Sequence, residues 1–165
     1  MKVRNTLLAA IGLAGALVLN GSAALSDEED NSDGGKSHGA TVPPLFSVLL
    51  GGNEVSPEGE ANAGDPDGRG SATVLILGTT LCFGITVDGI EKPTLAHIHQ
   101  APAGENGPIV VNLIPPTRGN PGSSSDCVRD QDPELLKKIQ RNASGFYVNV
   151  HNDKYPAGAV RGQLF

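Results

Sequence analysis

The sequence predicts an all-β domain: a Greek-key-like β-sandwich or barrel of about seven to eight short strands with one short helix. Three observations point there. From Pro43 onward, short apolar runs alternate with clusters of Gly, Pro, Asn and Asp, the texture of many strands joined by tight turns. Within the runs apolar residues recur at every second position, as on a strand with one buried face. Helix-start signals gather at one place, Asp132-Pro133-Glu134.

The elements follow in order. Leu45 to Leu50 is the first strand. Gly51 to Gly70 is a long polar loop, and its Gly-Asp-Pro-Asp-Gly cluster at Gly64 to Gly68 is read as a turn. Ser71 to Leu77 and Thr80 to Val87 form a hairpin around Gly78, with Leu81, Phe83, Ile85 and Val87 on one face. Leu95 to His99 is the fourth strand and Ile109 to Leu113 the fifth. Pro115 to Asp130 reads as a Pro/Gly/Ser loop carrying Cys127. Asp132 then caps a helix, Pro133 suits its first position, and Glu134 favours the positive end of its dipole. Leu135, Leu136 and Ile139 give this helix one apolar face, and it ends near Asn142. Phe146 to His151 and Ala159 to Leu164 are the last strands. With no Trp, two Tyr and four Phe, the core must rest on Val, Ile and Leu.

Residues 1–24 read as a signal peptide. Lys2 and Arg4 precede an apolar run of 13 residues, Leu7 to Leu19, and the small residues Gly21, Ser22, Ala23 and Ala24. That run falls short of the ~20 residues that span a bilayer as a helix, so no transmembrane anchor is expected after cleavage. Residues 25–42 are rich in Asp, Glu, Ser and Gly and read as a disordered acidic linker. Residues 43–165 form the β domain. Loss of Lys2 and Arg4 with the leader takes the formal net charge from −6 to −8. Such acidity argues against nucleic acid as a partner. Cys82 and Cys127 are the two cysteines. In an exported chain they read as one disulfide, closing a long loop for about 4 kcal/mol of stability in the chain-entropy model.

Three of the four histidines lie in the β domain: His97, His99 and His151; His38 lies in the linker. His97 and His99 project from one face of their strand, with Ala96 and Ile98 on the core face. On the strand ending at His151, Val148 and Val150 take the core face, and Tyr147, Asn149 and His151 the other. Arg161 and Gln163 extend the same outer face from the last strand. Three neutral imidazoles so placed suit copper or zinc. The alternative is a polar cluster whose rings pin the Gln100 to Pro108 loop through its carbonyls. Asn149 could orient His151, and Arg161 could pair with a loop acid such as Asp67 or Glu54.

At these residues the sequence resembles the CHRD (chordin) domain family. The resemblance is carried by Thr94-Leu95-Ala96-His97-Ile98-His99, Gly104, Gly107 to Val111, Tyr147 to Asn152 and Pro156 to Leu164. Gly51 to Val55 and Asp65 to Gly70 match the family's opening. It implies an extracytoplasmic module. The growth-factor antagonism of animal chordins does not transfer, because the cysteine-rich modules of those proteins are missing from this sequence. A looser resemblance joins the Ala-His-Ile-His strand to Cu,Zn superoxide dismutase, also a β-sandwich. Three domain histidines exclude that enzyme's bridged two-metal site.

The resulting expectation is an exported protein, periplasmic or extracellular. It acts as a non-catalytic binding or structural module whose partner is a protein or an envelope ligand. The alternative is a copper- or zinc-binding protein using His97, His99 and His151, with a metal-dependent redox enzyme as a third reading.

Overall fold

The structure, a computed structural model, describes residues 42–120 and 122–165. The expected leader, and the expected linker apart from Val42, lie outside the described residues. The strands are β1 (Leu45–Leu50), β2 (Arg69–Leu77), β3 (Thr80–Asp88), β4 (Pro93–His99), β5 (Ile109–Leu113), β6 (Gly122–Val128), β7 (Tyr147–Asn152) and β8 (Val160–Gln163). One helix, α1 (Pro133–Arg141), lies between β6 and β7.

All eight strands pair antiparallel in one sheet of order β5-β4-β7-β8-β1-β2-β3-β6. The sheet curls into a nearly closed barrel. Its two edges, β5 and β6, are consecutive in the chain, and the Ser124 hydroxyl donates to the Ile114 carbonyl across the seam at 2.7 Å. Read round the barrel the order is β1-β2-β3-β6-β5-β4-β7-β8. The links β3 to β4 and β6 to β7 each pass over two strands, which is a Greek key.

Alternation places the core as the sequence predicts. Ala72, Val74 and Ile76 of β2, Leu81, Phe83, Ile85 and Val87 of β3, Ala96 and Ile98 of β4, and Val148 and Val150 of β7 share one buried cluster. Helix α1 adds Leu136 and Ile139 to it. Each such side chain contributes about 1.5–3 kcal/mol when fully buried, so many aliphatics stand in for the missing tryptophan. The Asp132 carboxylate accepts from the Glu134 amide at 2.9 Å and caps the helix. The backbone of Gly162 passes so close to Val48 and Ser47 of β1 that a Cβ there would collide with both. That glycine lets β8 run against β1.

One expectation is corrected. Pro115 to Asp130 is not all loop, because Gly122–Val128 forms β6 and pairs along β3 from Leu81↔Val128 to Val87↔Gly122. Its run Ser-Ser-Ser-Asp has low strand propensity and shows no apolar alternation; the ladder to β3 and the disulfide override this. Cys82 and Cys127 sit directly opposite one another in that ladder and are bonded.

Candidate functional site

The site lies on the outside of the barrel wall, where β4, β7 and β8 run side by side. Register sets His97 opposite Asn149, His99 opposite Tyr147, and Asn149 opposite Arg161. The period of two then brings His97, His99, Tyr147, Asn149, His151 and Arg161 to one surface.

That surface is not open to solvent. His97 is 7 % exposed, His99 9 %, His151 7 %, Asn149 2 % and Arg161 1 %. Three connections cover it. The Asn106 amide of the β4–β5 loop donates to the carbonyls of Val55 and Ser56 in the β1–β2 loop, at 3.3 and 2.8 Å. The β7–β8 loop supplies the carbonyl of Pro156.

The three rings converge. One ligand atom from each of His97, His99 and His151 lies within 4.8 Å of the others, and among the described residues no Asp, Glu or Cys joins them. Main-chain acceptors set the tautomers. His99 Nδ1–H donates to the Gly107 carbonyl at 2.9 Å, and His151 Nδ1–H to the Pro156 carbonyl at 3.0 Å. A carbonyl can only accept, so both Nε2 atoms keep a lone pair. His97 Nδ1 lies 3.1 Å from His151 Nε2 and donates to it. His99 Nε2 is buried with no hydrogen-bond partner among the described residues. A backbone acceptor behind a ring, with a free nitrogen in front, is the arrangement of metal-binding histidines. Two nitrogens on a tetrahedral metal at 2.0–2.1 Å stand about 3.3 Å apart, close to the His97–His151 spacing.

Electrostatics keep the rings neutral. Burial, with the neighbouring His151 and His99, pushes His97 down to about 4. Burial also lowers His99, against the opposing bond to Gly107, and lowers His151, against the opposing bond to Pro156. A ligand imidazole must be neutral, and these are neutral at physiological pH. An open depression of about 300 Å³ reaches His99, walled by Val55, Pro57, Asn106, Gly107, Tyr147, Asn149 and Ala157. Depressions of about 410 to 420 Å³ lie elsewhere on the surface and touch none of the three histidines.

Two expected roles are corrected. Asn149 does not orient His151; its amide donates to the Ala157 carbonyl at 3.4 Å, and Pro156 holds the ring. Arg161 makes no ion pair with Asp67 or Glu54. Its guanidinium donates to the carbonyls of Glu105 and Pro102 at 2.6 and 3.2 Å and to Asn106 Oδ1 at 3.3 Å. Arg161 therefore fastens the β4–β5 loop over the site. The Gly64–Gly68 cluster is the expected turn, with Asp65 Oδ1 accepting from the Asp67 amide.

Tyr147 is the residue that sequence reasoning placed on this face without a task. Its ring stacks on His99 at 4.8 Å and 6°, and the Arg161 guanidinium lies 3.4 Å from it. Glu54 is 1 % exposed, and burial raises its pKa against the Val55 amide, the Arg161 charge and Asn149. Among the described residues Glu54 Oε2 and Asn149 Oδ1 have no partners, and both crowd Gly158, where a Cβ would strike them.

A nearly closed eight-stranded Greek-key barrel, with one edge strand disulfide-bonded to its neighbour and a histidine triad under three loops, defines a small all-β domain with a buried polar site. The family model of the CHRD domain matches residues 45–164, and the chain belongs to that family. Searches of curated proteins and of solved structures gave no match.

Proposed function

We propose that this chain is an exported CHRD-domain protein whose histidine triad holds a transition-metal ion. The observation that carries the reading is the convergence of three imidazole nitrogens within 4.8 Å, two of them fixed from behind by the carbonyls of Gly107 and Pro156. His99 Nε2, buried and unpartnered, adds support, because an orphaned buried acceptor is costly unless something occupies it. Export is supported by the leader pattern over 1–24 and by the Cys82–Cys127 disulfide, which suits an oxidising compartment. Where cleavage leaves the protein, in a periplasm or outside the cell, depends on the envelope of its host.

The test is elemental analysis of the mature protein purified without an affinity tag. About one equivalent of copper or zinc per chain is expected, falling to background in His99→Ala. Substoichiometric metal that the substitution leaves unchanged would sink the reading.

A second reading has its own observation. The His97–His151 hydrogen bond and the two ring–carbonyl bonds form a network that needs no metal. On this reading the domain is a non-catalytic binding or structural module of the envelope or extracellular space. A metal-free protein that is as stable as the purified one and is recovered with an envelope partner is its expected signature.

A further inference from the structure

The charge of the ligand set selects among metals. This inference rests on the reading of the triad as a metal site. The triad offers three neutral nitrogens and, among the described residues, no carboxylate or thiolate. A formal positive charge stands one ring away from His99. Arg161 lies 3.4 Å from the Tyr147 ring, and the same ring stacks on His99. Glu54, the buried acid of this face, sits against Asn149 and the Val55 amide, and its burial favours the neutral form.

A cation in this site is largely cut off from water, since the three rings are 7 to 9 % exposed. The cost of burying an ion rises with the square of its charge, so a dication is penalised about four times as heavily as a monocation. Zinc with three protein ligands takes a fourth from water and gains charge balance when that water ionises. Here the depression that reaches His99 is walled by Val55, Pro57 and Ala157 as well as by polar groups, none of them an acid, and the Arg161 guanidinium lies against the Tyr147 ring in that wall. Imidazole nitrogens suit both copper and zinc, so charge decides: three neutral donors leave monovalent copper with half the uncompensated charge of zinc(II).

We propose that the histidine triad is a copper(I) site, holding monovalent copper in preference to zinc(II).

The test titrates the mature, disulfide-bonded chain under anaerobic conditions. Copper(I) is supplied as its acetonitrile complex against bicinchoninate, and zinc(II) against a chromogenic chelator. One copper(I) per chain is expected, with a Kd at least about a thousandfold below that for zinc(II). Zinc(II) bound as tightly as copper(I), and lost in His99→Ala, would overturn the selectivity while leaving the metal reading intact. A chain that takes up neither metal would overturn both. His97→Asp puts a carboxylate into the ligand set and is expected to narrow the gap by about a hundredfold. A folded His97→Asp protein with the wild-type gap would refute the charge argument. Should that variant not fold, the wild-type comparison decides the matter alone.

Discussion

Replacing Arg161 with Met tests whether one buried cation organises the cover of the site. The substitution keeps most of the side-chain volume and removes the guanidinium. Three acceptors lose their donor: the carbonyls of Glu105 and Pro102, and Asn106 Oδ1. Hydrogen bonds to a charged group contribute about 1.5–3 kcal/mol each, and a stacked cation on an aromatic ring about 0.5–2 kcal/mol. Against this stands the relief of desolvating a guanidinium that is 1 % exposed, which costs several kcal/mol. The net expectation is a loss of about 3–5 kcal/mol, the range for removing one partner of a buried charged network. At about 4 °C per kcal/mol for a domain of this size, Tm falls by roughly 12 to 20 °C. Circular dichroism on heating reads the first quantity. Hydrogen exchange reads the second, because the amides of Gln100, Glu105 and Gly107 all bond within or beneath the fastened loop. They should exchange faster while the β2–β3 amides keep their protection relative to global unfolding. A loss under about 1 kcal/mol, with the loop amides unchanged, would refute the role given to Arg161.

Glu54 and the disulfide give two further expectations. A carboxyl whose folded pKa is raised contributes stability that is present below its unfolded pKa and lost as pH rises through the folded pKa. Glu54→Gln keeps the neutral shape at every pH, so its stability relative to wild type should climb as pH rises above 4.5; urea titrations over a pH series measure it, and a flat difference contradicts a raised Glu54. Converting both Cys82 and Cys127 to Ala should cost about 4 kcal/mol for a loop closed over a separation of 45 residues. Hydrogen exchange should then show β6 opening first, and uniform loss of protection across the barrel would count against β6 as the weak edge.

Much of the barrel was legible because it rests on period-two alternation. The faces of Leu81 to Val87, Ala96 with Ile98, and Val148 with Val150 follow from position alone, and so does the shared face of His97, His99 and His151. The helix was legible because Asp132, Pro133 and Glu134 act locally. Strand β6 was not, since its serines gain their conformation from β3 and not from their own propensity. The burial of the triad was equally hidden. It depends on how three loops fold back, and loop packing is fixed by single tertiary bonds such as Asn106 to Val55 and Ser56. The misassigned tasks of Asn149 and Arg161 have the same origin. Each side chain found a main-chain carbonyl, and nothing in residue identity advertises where a carbonyl points.

That last fact has a consequence for how this site tolerates change. The two groups that aim His99 and His151 are the carbonyls of Gly107 and Pro156, and every residue type has one. Substitution in these loops can reshape or recharge the entrance while the imidazoles stay aimed, provided the backbone path survives. Gly107 is the tight spot, because a Cβ there would run into the Gln100 carbonyl. Selection, or an engineer, can therefore vary the gate of this pocket almost independently of its floor.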